Sequence, residues 1–131
     1  MSRQHVRISF ALVRKSLNEV LADHSLASLG DSYVNFVYSL ALSNRKGEPV
    51  GTKVKGSLLA EALRKAGLRE RLPSRMSRHA LADAAEALIV YAWLSNHLSM
   101  AESVAIIGKH GDPVEGLSQL LVAIKERITF P

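Results

Sequence analysis

Apolar residues recur every three to four positions along most of this chain, and no stretch reads convincingly as a strand. Ile8 to Ala22 carries Phe10, Val13, Leu17, Val20 and Leu21 at helical spacing, predicting a first helix. Ser25 to Ser43 predicts a longer second helix, with Leu26, Leu29, Tyr33, Phe36, Val37 and Leu40 along one stripe. So apolar a helix belongs in the core or at a subunit interface. Asn44 to Gly51 collects polar residues with Gly47, Pro49 and Gly51, the signals of a loop. Ser57 to Ala66 predicts a short third helix closed by Gly67, and Pro73-Ser74 marks the next break. A fourth helix is predicted from about Arg78 to Asn96, very apolar from Ala80 onward. Ser99-Met100-Ala101-Glu102 reads as a capping box opening a fifth helix. Asp112-Pro113-Val114-Glu115 opens a sixth in the same way, with proline at its first position, and it runs to about Ile128. The expectation is one all-α domain over residues 1–131, without repeats or linkers.

Composition narrows the function classes. The 131 residues suffice for one buried core, and no apolar run is long enough to span a bilayer. The N-terminal stretch Met1 to Arg7 is basic, but the apolar residues after it are interrupted by Arg14 and Lys15, so it does not read as a secretory signal. The chain has no cysteine, which excludes disulfides, thiolate chemistry and cysteine–zinc sites. A cytoplasmic location is expected. The net charge of +5 is uneven: the segment 45–79 carries ten Lys and Arg against three Glu, and the remainder is slightly acidic. A basic middle beside an acidic cluster suits an enzyme acting on a polyanion, and equally an ordinary solvated basic surface.

The acidic residues are the ones that suggest chemistry. Asp83 and Glu86 lie at i and i+3 on the fourth helix, so they project from one face, among Ala80, Leu81, Ala82, Ala84, Ala85, Ala87, Leu88 and Ile89. Asp31 follows Gly30 inside the second helix; a glycine there weakens a helix by about 1 kcal/mol and predicts a close crossing. Carboxylates in apolar surroundings are costly unless compensated. A divalent cation shared between the two helices would compensate them.

These residues carry a resemblance to a known family. Leu29-Gly30-Asp31-Ser32, leading into an apolar helix, resembles the end of the ribonuclease III signature, Leu-Glu-Phe-Leu-Gly-Asp-Ser. Asp83-x-x-Glu86-Ala87-Leu88-Ile89 is similar to that family's second motif, and Leu59-Ala60-Glu61-x-x-Arg64 with Gly67-Leu68 to its intervening helix. The chain most resembles the short, archaeal-type members, with no double-stranded-RNA-binding domain expected. The resemblance implies a ribonuclease III endonuclease-like helical fold and a homodimer paired through the apolar helix 25–43. It also implies hydrolysis of double-stranded or structured RNA with Mg²⁺, for which Mn²⁺ could substitute. Asp31, Asp83 and Glu86 match three of the family's four metal-holding carboxylates.

The chain departs from the pattern at three positions. Ala27 stands where the signature has its second glutamate, His24 where it has the earlier one, and Ser28 where it has the phenylalanine that packs across the dimer. Glu61 is expected as a substitute ligand and His24 as a capping or packing residue, since imidazole is a poor Mg²⁺ ligand. Arg45, Lys46, Lys53 and Lys55, around the glycine-bearing loop, are the first candidates for RNA contact, followed by Arg75 and Arg78. Tyr91 and Trp93 are expected in the core rather than stacked on bases. Besides an active enzyme, the sequence admits a non-catalytic RNA-binding relative, motivated by Ala27 and Ser28, or a helical interaction module.

Overall fold

The computed structural model describes residues 6–131; Met1 to His5, part of the basic stretch read above as no secretory signal, lie outside the described residues. Six helices follow in chain order: α1 (Leu17–Leu21), α2 (His24–Lys46), α3 (Gly56–Lys65), α4 (Arg78–Leu94), α5 (Met100–Gly108) and α6 (Pro113–Arg127), with a 3-10 turn at Arg69–Arg71 and no strand among the described residues. None of the described helices is long and apolar enough to cross a membrane.

The centre of the molecule is α4, whose buried positions run almost all round the helix. A helix apolar on every side is stable only when enclosed, and α1, α2, α3 and α6 all pack on it, α2 most extensively. The alanines at 82, 84, 85, 87 and 92 keep α4 thin and are all buried. The predicted close crossing lies between α2 and α4. A Cβ on Gly30 would fall 2.6 Å from the carbonyl carbon of Glu86, a backbone atom that cannot step aside. Beyond the crossing, Tyr33 stacks on Trp93 with ring centroids 4.7 Å apart. The two helices therefore leave the crossing in the same sense, and their N-terminal halves diverge on the other side.

The first helix is much shorter than expected from Ile8 to Ala22. Only Leu17–Leu21 is helical, opened by Ser16, whose hydroxyl accepts from the Glu19 N–H (3.2 Å). Upstream, Arg14 holds the chain out of a helix: its guanidinium donates to the Leu12 carbonyl (2.9 Å) and pairs with Asp23 at 2.9 Å. Ile8 and Leu12 pack on the core, while Phe10 and Val13, expected on the helical stripe, are exposed.

The second helix is longer than expected at both ends. Asp23 caps it by accepting from the Leu26 N–H (2.9 Å), and Gly47 ends it in the left-handed conformation (φ +76°). Asn44, Arg45 and Lys46, expected in a loop, form its last turn. The stripe is split: Leu26, Tyr33 and Val37 are buried, but Leu29 and Phe36 are 43% and 56% exposed.

The other boundaries fall close to expectation. α3 ends at Lys65, with Gly67 left-handed at φ +80°. Ser99 and Glu102 make the full reciprocal capping box of α5. Asp112 caps α6 ahead of Pro113. Tyr91 is buried and stacks on Phe130; Trp93 is half-buried.

Candidate active site

Where the N-terminal halves of α2 and α4 diverge, they leave an open cavity of about 650 Å³. His24, Ala27, Ser28 and Asp31 line it from α2, and His79, Ala82, Asp83 and Glu86 from α4. On both helices these are positions i, i+3, i+4 and i+7, a single helical face. The 53–56 segment supplies the remaining wall with Lys53, Val54, Lys55 and Gly56.

Asp31, Asp83 and Glu86 thus share one cavity, although 52 residues separate Asp31 from Asp83 in the chain. Glu86 is the deepest, with 6% of its surface exposed. Its carboxyl group titrates far above the usual range, at about 8. Burial is the main cause; a hydrogen bond with Asp31 and the charges of Asp31 and Asp83 add to it, while Lys53 opposes them. Three carboxyl groups and two ammonium groups, those of Lys53 and Lys55, therefore line one cavity.

The donor chemistry fits a hard divalent cation, since every acidic ligand is an oxygen. The geometry is not closed around an ion: among the described residues no three His, Asp or Glu side chains converge tightly enough to hold one. Mg²⁺ tolerates this, because it binds through one or two carboxylates and keeps several waters.

A polar ladder aligns the site. Asn35 Nδ2 donates to Asp31 Oδ1 (3.3 Å), and Asn35 Oδ1 accepts from the Val54 N–H (2.7 Å). One turn on, the Ser39 hydroxyl accepts from the Thr52 N–H (2.9 Å), and the Ser43 hydroxyl accepts from the Val50 N–H (2.9 Å). Steps of four residues on the helix match steps of two on the segment, so residues 50–54 lie extended along α2. This fixes Lys53 and Lys55 at the cavity wall and ties that wall to Asp31.

The remaining candidates lie elsewhere. Glu61, expected as the substitute ligand, is exposed on α3 and does not line the cavity. Its electrostatic influence falls on Lys65 instead. Arg45 is engaged within the fold: its guanidinium donates to the carbonyls of Gly108 (2.8 Å) and His110 (2.7 Å), the end of α5. Lys46, Arg75 and Arg78 are exposed outside the cavity. His24 neither caps nor packs; Asp23 is the cap, and His24 is exposed at the cavity's edge. Asn35 and His79 escaped the sequence reading. The signal for Asn35 was present, as three polar residues at four-residue spacing (35, 39, 43) along the otherwise apolar stretch 33–43 of α2.

A scan against protein-family models matches residues 24–129 to the model described as Ribonuclease III. The comparison with curated proteins finds no match.

Proposed function

The chain belongs to the ribonuclease III family, and on that premise we propose that it is a metal-dependent endoribonuclease hydrolysing phosphodiester bonds of double-stranded or structured RNA. The observation that carries this reading is the meeting of Asp31, Asp83 and Glu86 in one cavity with Lys53 and Lys55 on its wall. The three carboxylates would hold Mg²⁺, with Mn²⁺ as a substitute. When bound, such an ion activates water and draws negative charge from the attacked phosphate. Asn35 orients Asp31, and the small side chains of Ala27, Ser28 and Ala82 leave room for a strand to approach.

Lys53 and Lys55 would contact backbone phosphates, with Lys46, Arg75 and Arg78 as outer contacts. Recognition through phosphates and 2′-hydroxyls gives little sequence preference. The exposed Leu29 and Phe36 on α2 fit pairing with a second copy of the chain, as a homodimer. A chain free of cysteine fits a cytoplasmic setting.

Ala27 and the unconverged carboxylates favour a second reading, an RNA-binding relative with little or no catalysis. The deciding experiment is cleavage of a labelled RNA duplex in Mg²⁺ and then Mn²⁺, comparing the wild type with Asp31→Asn and Glu86→Gln. The expected result is cleavage by the wild type and none by either variant. Binding without cleavage by the wild type selects the second reading. Equal cleavage by all three proteins removes these residues from the site.

A further inference from the structure

The cavity has two chemically different ends. Asp31 and Glu86 lie at one, next to the helix crossing. His24 and His79 lie at the other, each seven residues upstream of a carboxylate on its own helix, roughly 10 Å along the axis. Between them the cavity is lined by Ala27 and Ser28 from α2 and by Ala82 and Asp83 from α4. Both imidazoles are exposed, and no side-chain hydrogen bond joins His24, His79, Lys53 or Lys55 to another described residue. Neither histidine serves the fold, because Asp23 and Ser77 are the caps of α2 and α4. Two exposed imidazoles on one cavity, neither held by a side-chain hydrogen bond, are donors free to take a ligand. Phosphate oxygens are the acceptors that such a set accommodates.

We propose that His24 and His79 form a phosphate subsite at the far end of the cavity from Asp31 and Glu86. It takes a backbone phosphate of the same RNA strand, neighbouring the one that lies over Asp31, Asp83 and Glu86. The spacing of the two ends would then set which bond is presented to the carboxylates. The histidines are positioning residues in this arrangement, holding the strand without touching the reacting atoms. The inference rests on the proposed RNA-processing function and deepens it by assigning a substrate subsite.

The test is the double variant His24→Ala/His79→Ala. Both side chains are exposed, so its melting temperature should match the wild type's. Binding of a short RNA duplex is followed by fluorescence anisotropy in EDTA across a salt series. We expect affinity to fall roughly tenfold, the scale of a lost charge-assisted hydrogen bond. The slope of log affinity against log salt should lessen by about one, as for one lost phosphate contact. Restoring a donor with His79→Arg in the His24→Ala background should recover most of the affinity, which a merely structural role would not do. In Mn²⁺, cleavage positions should spread over neighbouring bonds in the double variant, and Mn²⁺ should raise the melting temperature as much as in the wild type.

Unchanged affinity and salt slope in the double variant overturn the subsite while leaving the proposed function standing. Weakened binding by the variant of a wild type that binds without cutting keeps the subsite and discards the catalytic reading. A wild type that binds no duplex even at low salt overturns both.

Discussion

Glu86→Gln should stabilise the metal-free protein, and the stabilisation should grow with pH. The Glu86 carboxyl titrates at about 8 in the fold against 4.5 when unperturbed. Between those values the folded chain keeps a proton that the unfolded chain releases, so Glu86 opposes folding increasingly as pH rises. Below about pH 4.5 both states are protonated and the effect vanishes; above about pH 8 it levels off. At about 1.4 kcal/mol per pH unit, the full gap corresponds to about 5 kcal/mol. The cavity is open to water, so screening reduces this, and about 2 kcal/mol is the expected scale. In a domain of this size that is about 6 °C of melting temperature. Glutamine removes the charge and still offers an amide donor to Asp31. Thermal unfolding in EDTA should therefore show the variant about 6 °C above the wild type at pH 8.5 and level with it at pH 4. Mg²⁺ or Mn²⁺ at pH 8.5 should raise the wild type's melting temperature and leave the variant's nearly unmoved. A variant equal to or below the wild type at pH 8.5, or offset equally at both pH values, would refute the account of a buried carboxylate awaiting a cation.

Gly30→Ala should lower stability by about 3 kcal/mol, because its Cβ meets the Glu86 backbone; Gly108→Ala, with nothing within 4 Å, should be neutral or slightly stabilising in the same denaturant titration. Asn35→Ala should cost about 1–3 kcal/mol by orphaning the buried Val54 N–H, and should also weaken the Mn²⁺-induced thermal shift; retention of both wild-type values would remove Asn35 from the site's support. Leu29→Glu/Phe36→Glu should convert a dimer to a monomer in sedimentation without lowering the monomer's helicity, and an unchanged oligomeric state would remove this face of α2 from the interface.

The helical fold was legible because α4 and the caps of α5 and α6 are local signals. The Ser99–Glu102 box and the Asp112-Pro113 start depend on residues within one turn, so the sequence displays them directly. Gly30 was legible for another reason: a glycine inside an apolar helix has few explanations besides close approach. The failures are tertiary. Ile8 to Ala22 has helical spacing, but Arg14 binds backbone carbonyls and Asp23, contacts that no periodicity reveals. Arg45 and Lys53 look alike in sequence, yet one is tied to the end of α5 and the other lines the cavity. Glu61 falls between Asp31 and Asp83 in sequence order, but α3 presents it to solvent. His79 escaped because its significance comes from sharing one cavity with His24, which is a property of two helices and not of either alone.

Ala27 offers the sharpest test of how this cavity differs from one with a fourth carboxylate. It is buried, yet it lines the cavity one turn before Asp31, so a longer side chain there can extend into open space. Ala27→Glu would add an oxygen ligand beside three existing carboxylates. Without metal, the added charge repels them, and the variant should lose about 1–2 kcal/mol at pH 8, a loss that fades as the carboxyls protonate on acidification. With metal the sign reverses, because more negative ligands tighten divalent-ion binding. Calorimetric titration with Mn²⁺ should give roughly tenfold tighter binding than the wild type, and Mn²⁺ should more than recover the lost melting temperature. Lower metal-free stability with no gain in Mn²⁺ affinity would mean that position 27 faces the carboxylates but not the ion. The site would then have to be sought at Asp83 and Glu86, away from α2.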